Sequence, residues 1–146
     1  NVEHLDLYGG VGLLAFPLMS AVGASAKLVT VESSARATEL AQENLSNWLG
    51  SRAETSTVEK FLRRTEIQPG ATVVLDPPRA GAGREVVERL AQSDAAQIVY
   101  VACDPVAFAR DLGTFRSLGW DVEHLTAYDL FPQTHHVELV ARLVRV

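Results

Sequence analysis

Short apolar runs alternate along this chain with longer stretches whose apolar residues recur at helical spacing, and the runs end in glycine, proline or an acid. Residues 2–7 form such a run, closed by Tyr8-Gly9-Gly10, and residues 11–19 then carry apolar side chains densely enough for a buried helix. Residues 27–31 are β-branched and apolar; Glu32 and two serines able to cap follow, and the pattern predicts a helix over 35–49. Residues 52–57 read as a polar strand and 58–64 as one or two helical turns. The ATVVL run at 71–75 is a buried strand stopped by Asp76-Pro77-Pro78, because proline cannot donate to a ladder, and 84–91 suits a helix. Residues 97–102, QIVYVA, make the most apolar strand, followed by Cys103-Asp104-Pro105 and a helix over 107–118 that Gly119 ends. Residues 121–128 and 137–146 follow with no helix-length sequence between them, so they are expected to pair antiparallel. Five strand-helix units and a terminal hairpin predict an α/β, doubly wound, mostly parallel seven-stranded sheet with helices on both faces.

The 146 residues are enough for one domain with its own core. Thirteen Lys and Arg against eighteen Asp and Glu leave a formal charge of −5, which gives the chain no general pull toward phosphate backbones. Its one cysteine excludes an internal disulfide framework and a cysteine-rich zinc site. Glu3 and Asp6 stand where a signal peptide carries lysines, and Asp6, Pro17 and the glycines interrupt any membrane span, so a cytoplasmic protein is expected. The chain opens at Asn1 and enters a strand almost at once, so it is read as a domain of a longer protein.

In an open parallel sheet ligands bind beyond the carboxyl ends of the strands. After the first strand, Gly9, Gly10 and Gly12 allow a sharp turn and close backbone approach; Glu32 follows about 20 residues later, the separation at which a carboxylate reaches a ribose. Together they imply an adenosine-containing cofactor, with Tyr8 either lying along it or packing; the glycines alone would also fit a bare strand-to-helix turn. Two prolines fix the backbone at Asp76-Pro77-Pro78-Arg79, where Arg79 is either a phosphate or base contact or a surface ion pair. Cys103 is either a small core residue or a thiolate at a strand end, and the second reading is preferred. His135 and His136 invite a metal reading, but neighbours on an extended chain point apart and no cysteine or carboxylate has ligand spacing, so no metal is expected. His136 and Glu138 are instead expected to share one face of the last strand, with Glu138 placed to act as a general base.

DLYGGVG, VE, DPPRAG, VACDP and FPQTHHVE, in that order, resemble the S-adenosylmethionine-dependent RNA uracil-5-methyltransferase family over essentially the whole chain. The resemblance implies a Rossmann-like methyltransferase catalytic domain with S-adenosylmethionine as cofactor and a single-stranded or flipped uridine of RNA as substrate. RNA-binding segments would precede it in the longer protein. It implies Cys103 as nucleophile, Glu138 as base, and Tyr8, Gly10, Glu32 and Asp76 at the cofactor. The chain departs from the family's usual residues at Gly9, often cysteine, at Leu13, Ala102 and Asp104, and at Ser56-Thr57, where an acid commonly contacts adenine. The rival readings are a nicotinamide-dependent oxidoreductase, which leaves DPPR, Cys103 and Glu138 without a role, and a non-catalytic cofactor-binding or RNA-scaffold domain with an unreactive Cys103.

Overall fold

The computed structural model describes residues 1–134 and 136–146. Seven strands and five helices alternate as β1 (Glu3–Leu7), α1 (Ala15–Val22), β2 (Lys27–Glu32), α2 (Ala35–Asn44), β3 (Ser51–Thr55), α3 (Val58–Arg64), β4 (Thr72–Leu75), α4 (Arg84–Ala91), β5 (Gln97–Ala102), α5 (Pro105–Ser117), β6 (Trp120–Tyr128) and β7 (Glu138–Arg145). They form a single sheet in the order β3-β2-β1-β4-β5-β7-β6. The first five strands are mutually parallel, while β7 runs antiparallel to both β5 and β6. The predicted terminal pair therefore exists, but its second strand inserts beside β5 and leaves β6 at the edge.

Helix starts are set by local chemistry. Ser34 Oγ accepts from Ala37 N and Thr57 Oγ1 from Lys60 N; Asp104 Oδ1 accepts from Val106 N and Ala107 N, with Pro105 in the first turn. That Asp-Pro start places α5 two residues ahead of the expected 107. The first helix begins at Ala15 rather than 11, because Pro17 has no N–H to give and fits only the first turn. The second stops at Asn44 instead of 49, where the chain turns back and Ser51 Oγ donates to the carbonyls of Leu45 and Trp48.

Two apolar layers sandwich the sheet. One joins Leu5, Leu7, Val73, Leu75 and Tyr100 to Phe61, Val87, Leu90, Phe108 and Phe115 from α3, α4 and α5. The other joins Leu28 and Val74 to Leu18 and Met19 of α1 and to Leu45. Trp120 is wholly buried; its Nε1 donates to Ala91 O at 2.9 Å and its ring lies under the Arg145 guanidinium. Every strand of the parallel set thus ends at one rim, and the residues after those ends are what the fold brings together. Among the described residues no helix is long and apolar enough to cross a membrane.

Candidate active site

Two of the clefts along this rim hold residues singled out in the sequence. One, of about 460 Å³, lies beyond β1, β2, β3 and β4 and is lined in part by Tyr8, Glu32, Thr57, Glu59, Asp76 and Pro78. The other, of about 380 Å³, lies beyond β5 and is lined by Arg79, Cys103, Asp104, Pro105, Val106 and His136. The Asp76-Pro77-Pro78-Arg79 segment walls both, so its rigid backbone places an acid in the first cleft and a cation in the second.

The first cleft is shaped by the turn after β1. Tyr8 holds a left-handed backbone at φ 59°, a cost that a non-glycine residue meets only where its surroundings over-determine it. Gly10 and Gly12 also have positive φ, and Gly10 N donates to Glu32 Oε2 at 3.0 Å. Burial raises the Glu32 pKa, but hydrogen bonds from Ser34 N, Gly10 N and Ser33 outweigh it and hold the carboxylate below its ordinary value. An ionised carboxylate has about four lone-pair sites; Ser33 Oγ and Ser34 N take two on Oε1 and Gly10 N one on Oε2, which leaves Oε2 free to accept from a ribose hydroxyl. Burial, then the charges of Glu59 and Asp111, keeps the Tyr8 phenol protonated.

Beneath the turn lies Asp6, wholly buried, which in the sequence is only a charge that argues against a signal peptide and a membrane span. Thr30 Oγ1 donates to its Oδ2 at 3.3 Å, while Oδ1 has no hydrogen-bond partner among the described residues. Burial pushes its pKa up to about 7, against the Thr30 hydrogen bond and with help from the charges of Asp76 and Glu32. Gly9 has no room for a side chain, since a Cβ there would stand 2.2 Å from Thr30 Cγ2 and 2.6 Å from Asp6 Oδ2. The departure at Gly9 is thus matched by Thr30, whose methyl fills that space. No acid stands at Ser56-Thr57, but Glu59, in the first turn of α3, lines the same cleft.

The second cleft is centred on Cys103, which is half-buried. The β5–β7 ladder ends with Ala102 opposite Leu139; Cys103 is the residue after that pair on one chain, and Glu138 the residue before it on the other. Glu138 is half-buried and its charge reaches across to Asp76, whose pKa is raised by desolvation first and by Glu138 second. His136 does not share a strand face with Glu138 as expected. The last strand starts only at Glu138, because His136 N is turned back to donate to Thr134 Oγ1, and His136 lines the cleft beside Cys103 and Arg79. His135, the other half of the expected histidine pair, lies outside the described residues. Among those described, no three metal-ligating side chains come together. Arg79 makes no ion pair or hydrogen bond among the described residues, in contrast to Arg110, which pairs with Asp111, and Arg84, which pairs with Glu88.

Two further groups hold this rim. Asp111 of α5 is buried, and its Oδ2 accepts from Tyr100 Oη at 2.6 Å and from Ala82 N at 2.8 Å. Arg110 donates to Ala80 O and also contacts Asp111. The loop that follows Arg79 is thereby tied to α5. A signal for Asp111 was present, since it occupies the apolar face of α5 defined by Ala107, Phe108 and Phe115, where an acid requires buried partners.

With its seventh strand inserted antiparallel between β5 and β6, the sheet departs from the 3-2-1-4-5-6 dinucleotide fold, and its arrangement is that of the Rossmann-like methyltransferases it matches. The model of the tRNA (uracil-5-)-methyltransferase family matches residues 1–146, and the chain belongs to that family. It is 52% identical over 139 residues to an uncharacterized RNA methyltransferase of Streptomyces avermitilis, which covers 95% of this chain and 32% of the relative. To an uncharacterized RNA methyltransferase of Thermotoga maritima it is 37% identical over 149 residues, 99% of this chain and 33% of the relative. The chain thus spans about a third of the length of the curated relatives it matches. The crystal structure of the Pyrococcus abyssi tRNA (uracil-54, C5)-methyltransferase in complex with S-adenosyl-L-homocysteine matches with a TM-score of 0.81 and 34% identity, over 99% of this chain and 34% of that one. An S-adenosylmethionine-dependent O-methyltransferase of Thermotoga maritima shares the fold, with a TM-score of 0.69 at 16% identity over 99% of this chain and 60% of that one.

Proposed function

We propose that residues 1–146 are the catalytic domain of a longer protein that transfers a methyl group from S-adenosylmethionine to carbon 5 of a uridine in RNA. The observation that carries this reading is that Cys103 and Glu138 flank the last pair of the β5–β7 ladder, Ala102 and Leu139, near a cleft lined by Glu32 and Asp76. The family membership and the likeness to the Pyrococcus abyssi enzyme support it.

The residues of the first cleft suit the cofactor. Glu32 offers an ionised carboxylate to a ribose hydroxyl, Tyr8 lines the cleft, Gly10 N holds Glu32 to the turn, and Asp76 adds an acceptor near a cationic ligand. When bound, S-adenosylmethionine supplies an electrophilic methyl group. Carbon 5 of uracil is too weak a nucleophile to take it unaided. The Cys103 thiolate bonds to carbon 6, the electron pair of the 5,6 double bond moves onto the ring as an enolate, and carbon 5 becomes nucleophilic. After methylation Glu138 removes the proton left on carbon 5. That C–H pair re-forms the double bond and expels the thiolate, leaving 5-methyluridine and a protonated Glu138. The uridine must be out of any helical stack to reach Cys103, and Arg79, which lines the same cleft, is placed for the phosphate or base. A nicotinamide-dependent oxidoreductase would leave Cys103 and Glu138 idle.

The test is methylation of tRNA and ribosomal RNA by the full-length protein with labelled S-adenosylmethionine, followed by nucleoside mass spectrometry. Labelled 5-methyluridine is expected; label on another base or ring position would overturn the reading.

A further inference from the structure

The β6–β7 ladder sets Tyr128 directly opposite Glu138, and opposed residues of an antiparallel pair project from the same face of the sheet. The β5–β7 ladder closes at Ala102 and Leu139, so Cys103, one residue past Ala102, stands at the same rim as Glu138 and Tyr128. Tyr128 is 48% exposed, and its ring makes no hydrogen bond or ring contact among the described residues. The other two tyrosines are committed: Tyr100 donates to Asp111 and packs on Phe108, and Tyr8 is half-buried against the core. Leu130 and Phe131, 60% and 54% exposed, extend the apolar surface beyond the strand end.

We propose that Tyr128 stacks on a nucleobase next to the target uridine, holding the RNA strand while the uridine lies over Cys103 and Glu138. This rests on the uridine methylation reading and adds a substrate-binding residue to it. The occupant is single-stranded RNA because the surface is continuous with the reacting groups. Two strand spacings, about 10 Å, separate Tyr128 from Cys103, enough for the target base and then its neighbour. Farther along the same face Thr126 and His124 of β6 stand opposite Val140 and Arg142 of β7. The Arg142 charge is met by Glu123. A chain with a net charge of −5 gains little from counterion release, so stacking, which is tolerant of base identity, is the grip available near the reacting carbon.

The test uses the full-length protein and a single-stranded oligonucleotide cut from whichever of tRNA or ribosomal RNA it methylates. Tyr128→Ala is expected to raise KM for the oligonucleotide on the order of tenfold, with kcat and S-adenosylhomocysteine affinity unchanged, and Tyr128→Phe to retain the wild-type KM. For the wild-type protein, an abasic nucleotide on one side of the uridine should reproduce the KM increase, and should add nothing to Tyr128→Ala. An unchanged KM in Tyr128→Ala, or no response of the wild type to either abasic neighbour, overturns the assignment while leaving uridine methylation intact. A wild-type protein that methylates no uridine in either RNA overturns the underlying reading, and the role of Tyr128 with it.

Discussion

Asp76 and Glu138, which come from the end of β4 and the start of β7, lie within electrostatic reach of each other at the boundary between the two clefts. Desolvation raises the Asp76 pKa and the Glu138 charge raises it further, so the proposed cofactor contact senses the ionisation of the proposed base. Removing that like charge lowers the Asp76 pKa. In Glu138→Gln the acid midpoint of S-adenosylhomocysteine binding, followed by calorimetry across pH, should fall below that of the wild type; an identical midpoint would separate the two carboxylates.

Asp6 predicts a pH dependence of stability. Its folded pKa is raised from 3.8 to about 7, so the contribution of the neutral carboxyl is fully present below the unfolded value and is lost as pH rises through about 7. That span is worth roughly 4 kcal/mol. Asp6→Asn keeps an acceptor for Thr30 and carries no charge. Urea unfolding should find it more stable than wild type at pH 8 by a few kcal/mol, with the gap closing toward pH 4, whereas parallel pH profiles would count against a strained ionised Asp6.

Much of the architecture was readable from periodicity. The buried strand β5 and the helices α3 and α4 fall on their predicted residues, since a β-branched run bounded by turn formers and a clean helical stripe each leave one solution. The start of α1 was misread because Leu13 and Leu14 continue the apolar density through a glycine turn that Pro17 in fact delimits. Of the site residues, Glu32, Asp76, Cys103 and Tyr8 were legible as strand-end positions, and all four line the two clefts. Asp111 was legible as an acid on the apolar face of α5, though its partners were not; Asp6 and Tyr128 were not, because the hydrogen-bond partner of Asp6 is remote in sequence. The place of Tyr128 depends on a register that shifts at an irregularity between Val122 and His124.

Gly9 and Thr30 should behave as a coupled pair. Gly9→Cys forces a side chain against the Thr30 methyl and Asp6, an overpacking expected to cost about 1–3 kcal/mol. Thr30→Ser removes the methyl and keeps the hydroxyl donor, so a double-mutant cycle in thermal unfolding should recover part of the loss. Strict additivity would show that the space is not shared.

Asp111→Ala takes the acceptor from the buried Tyr100 hydroxyl and leaves Ala82 N with only its longer bond to Tyr100 Oη, and should destabilise the chain by about 1–3 kcal/mol. Tyr100→Phe, which removes one donor, should cost about 1 kcal/mol. Because Asp111 ties down the loop after Arg79, proteolysis near residues 79–83 should accelerate in Asp111→Ala more than in Tyr100→Phe. Equal cleavage rates would relieve Asp111 of that anchoring role.

The central claim, that Cys103 after β5 and Glu138 at the start of β7 act on one ring, is tested most directly by trapping. Full-length Glu138→Gln is incubated with RNA and S-adenosylmethionine, denatured, and weighed by intact mass spectrometry. The account predicts a protein–RNA adduct that carries the methyl group, maps to Cys103 and is absent from Cys103→Ser/Glu138→Gln. Normal turnover by Glu138→Gln with no adduct would contradict it.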